Sequence, residues 1–267
     1  MQSFSLWQIL IFFPVGILAG IMSTVTGLAS LVSYPALLMA GVSPVYANVT
    51  NTAALILNGI GSGVSSSREL HGHWKEMFKI LLLVFVGGII GSYLLLSVPS
   101  TVFERVVPFF IAIAGIMILW PEKSHAYPNS STGFDPKHFH NFARNKFKLL
   151  LGGLSLVLIG IYGGYFGAAA GVIMLAVLSR TSSEPFPVYN AIRNVAMLAA
   201  NFAATVIYAF KSHIVWILVL PLALGFLCGG YIGPKIVRLL PIKLLKIIIG
   251  ILALILAGIL FVQTYNL

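Results

Sequence analysis

Four asparagines and one arginine are the side chains in this sequence best suited to holding a small polar ligand inside an apolar environment. Asn51 and Asn58 lie seven residues apart, and so do Asn194 and Asn201. Seven residues are two helical turns, so each pair shares one helix face. Buried amides must find hydrogen-bond partners, either across helices or in a bound ligand, and spacing alone leaves both roles open. Thr50, next to Asn51, adds a further donor. Arg193 is the one basic residue well inside an apolar span. An ionisable group at such a depth points to function, and a planar guanidinium suits an oxyanion. Its alternatives are snorkelling to the surface and pairing with Glu184. Thr50 stands at the position matching Arg193 in the first half of the chain, so the two halves are chemically unequal. Gly27 and Gly171 each sit where a long apolar run restarts. A helix beginning there presents free N–H groups and a positive dipole end to its surroundings, an arrangement that favours anions.

What is missing narrows the chemistry. Glu69, Glu76, Glu104, Glu122, Asp135 and Glu184 all fall near span ends or in loops. No carboxylate sits mid-span to relay protons or bind a cation. There is no nucleophile–base pair, no metal-ligand cluster and no nucleotide-binding loop, so neither enzyme activity, a cofactor nor a metal is expected. The single cysteine, Cys228, excludes an intramolecular disulfide. His71 and His213 stand at span ends beside Trp74 and Trp216, where interfacial anchoring is the plain reading and proton coupling the sharper one. No basic segment precedes the first apolar run, so no cleaved leader is expected.

The elements that must position these residues are helices in a membrane. Of the 267 residues, 59% are hydrophobic and 8% charged, against about 25% charged in soluble domains. Several runs are long enough to cross ~30 Å of hydrocarbon as helices, and the alternating segments of a β-barrel are absent. The chain also repeats itself. Gly16, Gly20, Ser23 and Gly27 recur as Gly160, Gly164, Gly167 and Gly171, and Pro44-Val45-Tyr46 recurs as Pro187-Val188-Tyr189. Asn51 and Asn58 match Asn194 and Asn201, His71-x-x-Trp74 matches His213-x-x-Trp216, and Gly87-Gly88-x-x-Gly91 matches Gly229-Gly230-x-x-Gly233. The offset drifts only from 144 to 142. The expected fold is therefore an all-α polytopic membrane protein of two structural repeats, 1–120 and 147–267, joined by a polar linker at 121–146. Each repeat opens with a broken or re-entrant helical segment and continues with three plainer spans, about 45–66, 78–98 and 102–120, then 188–210, 215–237 and 244–262. The small residues at four-, three- and four-residue spacing read as close helix packing.

The basic residues set a topology. If each opening run makes no net crossing, segments 68–79, 121–148, 179–187 and 235–246 share one side. They carry three, five, one and four Lys and Arg, 13 in all, and the other side holds only Arg105 and Lys211. If each run crosses once, the division is an uninformative 9 to 6. The positive-inside rule favours 13 against 2. It places the linker in the cytoplasm, both termini outside, and the second repeat inverted relative to the first. The net charge of +10 thus reads as topology in a multi-pass inner-membrane protein with the bilayer as its partner, and no nucleic-acid partner is expected. Inverted repeats with discontinuous helices bind substrate at the repeat interface.

The segment from Gly27 through Pro35-Ala-Leu-Leu-x-x-Gly41, the following Ala47–Asn51, and the Gly87-Gly88-x-x-Gly91 run resemble the sulfite exporter TauE/SafE family, also called the toluene-sulfonate uptake permease family. The resemblance spans both halves. The chain departs from it at the glycine cluster, where Leu28-Ala29-Ser30 and Ala168-Ala169-Ala170 replace the consecutive glycines often found there. The resemblance implies transport of sulfite, sulfonates or related sulfur anions. The expectation is an exporter of a small sulfur anion working by alternating access. Gly27, Thr50, Asn51, Asn58, Gly171, Arg193, Asn194 and Asn201 are its substrate-binding residues, and no residue is catalytic. The rivals are an importer of a sulfur compound on the same fold and a membrane assembly protein that transports nothing.

Overall fold

A computed structural model describes residues 5–119, 146–182, 184–236 and 242–265. Nearly all of the linker expected at 121–146 lies outside them; only Lys146 is described, and it opens a helix. The described residues form helices and short turns, with no strand among them. In chain order the helices are α1 (Leu6–Thr26), α2 (Ser30–Met39), α3 (Pro44–Ser65), α4 (Ser67–Leu70), α5 (Trp74–Ser97) and α6 (Ser100–Leu119). They continue with α7 (Lys146–Tyr165), α8 (Ala170–Thr181), α9 (Phe186–Lys211), α10 (Trp216–Ile236) and α11 (Ile242–Tyr265). The six plainer spans read from the sequence match α3, α5, α6, α9, α10 and α11. Four of the helices, Leu6–Thr26, Trp74–Ser97, Phe186–Lys211 and Trp216–Lys235, are long and apolar enough to cross a membrane. The side chains they present outward, such as Leu10, Phe78, Val86, Phe210 and Leu220, are large and apolar, as a lipid-facing surface requires.

Both opening runs are broken in two. α1 has 21 residues, about 31 Å at 1.5 Å per residue, and α2 has 10, about 15 Å. Neither α2 nor the 12-residue α8 can cross ~30 Å of hydrocarbon alone. Both are half-length helices that return from a break.

Packing swaps partners between the halves. α1 lies along α10, and α7 lies along α5; α3 packs on α10 and on α9, while α9 packs on α5. Glycines make the tight seams. A Cβ on Gly16 would come within 2.9 Å of the Gly225 Cα, and one on Gly20 within 3.0 Å of the Gly229 Cα. On the other seam a Cβ on Gly87 would come within 2.8 Å of the Gly160 Cα, and one on Gly164 within 3.0 Å of the Gly88 Cα. Real Cβ atoms do not approach so closely, so these helices touch backbone to backbone, the packing that small residues allow in lipid. α1 and α10 run in the same direction, Gly16 opposite Gly225 and Gly20 opposite Gly229. In contrast α3 and α9 are antiparallel, with Gly59 against Leu198 and Gly63 against Val195. α6 and α11 are antiparallel as well: the Phe109 ring meets Phe261 at 5.6 Å, and Gly250 meets Leu119.

The turns sort to two ends of the bundle. At one end His73 Nδ1 lies 3.7 Å from Glu184 Oε1, so the turns before α5 and before α9 are neighbours. At the other end the Tyr46 ring meets the His213 ring at 5.5 Å. There too Lys211 Nζ sits 4.6 Å above the Tyr93 ring, and the Tyr265 hydroxyl donates to the Arg105 carbonyl at 3.3 Å. Segments 68–79 and 179–187 thus share one end, and Arg105 and Lys211 the other. The count of basic residues pairs them in the same way when the opening runs make no net crossing. Trp74 and Trp216 open α5 and α10 and are exposed, as interfacial aromatic anchors are.

Candidate functional site

The two breaks meet. α1 ends at Gly27, which caps it in the left-handed region (φ 84°) and bonds back to the carbonyls of Met22 and Ser23. A Cβ at Gly27 would lie 2.7 Å from the Val172 nitrogen and 2.8 Å from Arg193 Nη1; one at Gly171 would lie 2.8 Å from the Gly27 Cα. The break of α1 is therefore pressed directly on the first turn of α8. The second break differs from the spacing-based expectation. Its left-handed residues are Gly167 (φ 75°) and Ala169 (φ 61°), and Gly171 falls just after them, inside α8. Matching glycines by register located the restart but not the residue that turns the chain, because the turn falls four residues earlier in the second half.

α2 and α8 both begin without a side-chain cap. Backbone turns satisfy most of their first N–H groups instead: Leu31 and Val32 donate to the Leu28 and Ala29 carbonyls, and Ala170 and Val172 to those of Gly167 and Ala169. Here both helix starts open on a small cavity. Gly27, Ala29, Ser30, Gly167 and Gly171 line it from the breaks, with Ser23, Asn58, Arg193, Asn194 and Asn201 around them. Its volume is about 40 Å³, room for roughly three waters at ~10–15 Å³ each. Thr52 and Asn58 lie eight and fourteen residues into α3, and Arg193 and Asn201 lie seven and fifteen into α9. At 1.5 Å per residue these are depths of about 10–12 and 21–22 Å. The cavity therefore sits midway along both helices.

Among the described residues Arg193 is the largest fully buried side chain, 1% exposed. Its Nη2 donates to the carbonyls of Ser23 (2.8 Å) and Thr24 (3.0 Å) and to Asn194 Oδ1 (2.7 Å). The guanidinium thus stands at the carbonyl end of α1, where a helix dipole favours a cation, and Asn190 Nδ2 adds a second donor to the Thr24 carbonyl at 3.1 Å. Neither alternative reading of Arg193 describes it: it does not reach a surface, and no described carboxylate lies within ion-pair distance. Glu184 instead faces His73. Arg193 Nη1 has no partner, nor has Asn194 Nδ2. Both residues line the cavity, so two buried donors are left for whatever fills it. Asn58 Nδ2 donates to Ser23 Oγ at 2.7 Å, and its Oδ1 is unpartnered. The lining contains no carboxylate, histidine or cysteine that would hold a metal.

Of the residues singled out by sequence, Gly27, Asn58, Gly171, Arg193, Asn194 and Asn201 line this cavity, and Thr50 and Asn51 do not. Asn51 joins helices: its Oδ1 accepts from Ser33 Oγ (2.6 Å) and its Nδ2 donates to Ser30 Oγ (3.2 Å). Thr50 Oγ1 accepts from the Val215 N–H at 3.1 Å. Asn48, Asn190 and Ser23 were missed by sequence reasoning. Asn48 Nδ2 holds the Tyr165 carbonyl at 2.9 Å and so does for the end of α7 what Asn190 does for α1. The available signal was spacing: Asn48 precedes Asn51 by three residues and Asn190 precedes Arg193 by three, so each shares a helix face with a residue already singled out.

With this architecture in place, similarity to known proteins decides the lineage. The model of the family described as sulfite exporter TauE/SafE matches residues 12–260. The chain belongs to the TauE/SafE family. Several curated relatives match over most of both chains. It is 26% identical to a probable membrane transporter protein of Haemophilus influenzae over 85% of this chain and 84% of that one. A probable membrane transporter protein, ORF9, of Sinorhizobium sp. is 26% identical over 96% and 94%. The probable membrane transporter protein YfcA of Escherichia coli K12 is 24% identical over 91% and 86%. No solved structure matches the chain. This TauE/SafE protein is thus a multi-pass membrane transporter and not an enzyme, and its cavity between two helix breaks is the candidate substrate site.

Proposed function

We propose that this TauE/SafE protein exports a small sulfur oxyanion across the inner membrane by alternating access, binding it in the cavity between the breaks. One observation carries the reading: two buried donors, Arg193 Nη1 and Asn194 Nδ2, are unpartnered in a cavity whose described lining holds no carboxylate. The guanidinium charge and the free amide N–H favour a negative guest, against the single unpartnered acceptor Asn58 Oδ1. The family's description as sulfite exporters supports the sulfur class.

The two halves are inverted in the bilayer, with the cytoplasm at the end that carries 68–79 and 179–187. The antiparallel course of α3 against α9 and of α6 against α11 supports the inversion, and the 13-to-2 distribution of Lys and Arg supports the direction. An inside-negative potential drives anion exit by about 2.3 kcal/mol per charge per 100 mV, so export requires no coupling ion. The test is sulfite efflux from proteoliposomes under an imposed potential. Efflux should rise with inside-negative potential and be independent of a pH gradient. Uptake driven by a proton gradient would make the protein an importer, and no sulfite-dependent flux in either direction would remove the reading.

A further inference from the structure

Away from the central cavity, at the end of the bundle where the turns before α5 and α9 meet, three metal-ligating side chains converge. His73 caps the start of α5, Glu76 stands in its first turn, and Glu184 precedes α9. One ligand atom from each lies within 4.8 Å of the other two, and all three residues are half-buried. His73 Nδ1 and Glu184 Oε1 are already 3.7 Å apart. Zinc bonds of ~2.0–2.1 Å in a tetrahedron set ligand atoms about 3.3 Å from one another, close to the separations found here. Sequence offers no hint of this group, because Glu76 and Glu184 are 108 residues apart and only the fold brings the two turns together.

We propose that His73, Glu76 and Glu184 form a binding site for a divalent transition cation of the zinc class, tying the first half of the chain to the second at this end. Two carboxylates facing each other repel unless a cation or proton separates them; burial and Glu184 disfavour the charged form of Glu76, and His73 and Lys79 act in the opposite sense. The ligand set selects the metal. One imidazole and two carboxylate oxygens suit Zn²⁺ with an open fourth position, whereas calcium takes six to eight oxygens and magnesium keeps a near-octahedral shell. A bound ion would hold the turn before α5 against the turn before α9. It would thereby restrain any motion of the halves against each other at this end. The site shares no residue with the sulfite cavity, so zinc binding and sulfite binding stand or fall separately.

The experiment is a titration of the full-length, untagged protein in detergent at neutral pH with ZnCl₂ alone, followed by calorimetry and by the unfolding temperature. One Zn²⁺ should bind per chain and raise the unfolding temperature. His73→Gln and Glu184→Gln should each weaken binding at least tenfold, and Mg²⁺ should not compete. If a variant does not fold, the wild type still decides: Zn²⁺ should protect His73, and not His213, from diethyl pyrocarbonate as read by mass spectrometry. Absence of stoichiometric binding by the wild type overturns the proposal. Undiminished binding in both folded variants, or equal reactivity of His73 with and without zinc, overturns it too.

Discussion

The two helix breaks are built from matching stretches of chain, yet they are finished differently. At the end of α1 the last carbonyls are held by a cation: Arg193 spans Ser23 and Thr24, with Asn190 beside it. At the end of α7 only neutral groups serve. Asn48 holds the Tyr165 carbonyl, Tyr208 donates to Gly164, and the Tyr162 hydroxyl donates to Ala168 at 2.7 Å. The backbone differs too. One left-handed glycine turns the first break, and Gly167 with the strained Ala169 turns the second. A near-symmetric scaffold thus carries an asymmetric charge, and the charged side of the cavity belongs to one half. Position 193 shows it most simply: the residue in register with it, Thr50, serves only as an acceptor for the Val215 N–H.

The comparison can be broken by substitution, and the largest effect belongs at Gly27. Gly27→Leu puts a branched side chain against the Val172 nitrogen and Arg193 Nη1, where even a Cβ has only 2.7–2.8 Å. Sulfite flux through folded Gly27→Leu protein in proteoliposomes should fall to background; normal flux would mean that the break is packing only. Gly27→Ala against Gly167→Ala gives a graded version. Both leave the left-handed region's cost of about 1–2 kcal/mol. A Cβ at Gly167 meets only the Gly163 carbonyl within 3.0 Å, whereas one at Gly27 strikes backbone and guanidinium. The unfolding temperature should therefore drop further for Gly27→Ala, and equal drops would erase the distinction.

The capping residues should separate next. Asn48→Ala leaves the Tyr165 carbonyl without its described side-chain donor, at a cost of about 1–3 kcal/mol for a buried unpaired group. Asn190→Ala leaves Thr24 still held by Arg193 and should cost less. Thermal unfolding of the two variants side by side reads the difference, and a greater loss in Asn190→Ala would reverse the account of who caps what. The smallest effect is a gain. Ala169→Gly relieves a left-handed alanine and should raise stability by up to about 1 kcal/mol.

Much of this was legible in the sequence. Apolar run lengths gave the six plain spans, and the recurring Gly series located the restart in each half but not the residues that turn the second break. The seams of Gly16 and Gly20 on α10 and of Gly160 and Gly164 on α5 are the close packing that small residues predict. The isolation of Arg193 in an apolar span singled it out as a candidate ligand residue, with snorkelling and pairing to Glu184 as alternatives; its burial is what the fold adds. Less legible was the use of each amide. Asn51 and Asn58 share a face and differ in role because Ser30 and Ser33 of α2 reach Asn51, whereas Ser23 reaches only one side of Asn58. That depends on how far α2 folds back, which periodicity does not encode. Asn48 and Asn190 escaped because they are one residue out of register between the halves, so matching by repeat passed over a pair that does the same work.

The central claim is that Arg193 presents a charged donor to an anion. Calorimetric titration of sulfite into wild-type, Arg193→Lys and Arg193→Gln protein tests it most directly. Because the guanidinium also holds the end of α1, both variants should be less stable; affinity in the folded fraction is the decisive reading. Gln removes the charge and Lys keeps it. Gln should therefore weaken binding by the worth of a charge-assisted hydrogen bond, about 1.5–3 kcal/mol, or roughly tenfold to hundredfold at 1.4 kcal/mol per decade, with Lys between Gln and wild type. Unchanged sulfite affinity in folded Arg193→Gln protein would contradict the account and reduce this arginine to a cap on α1.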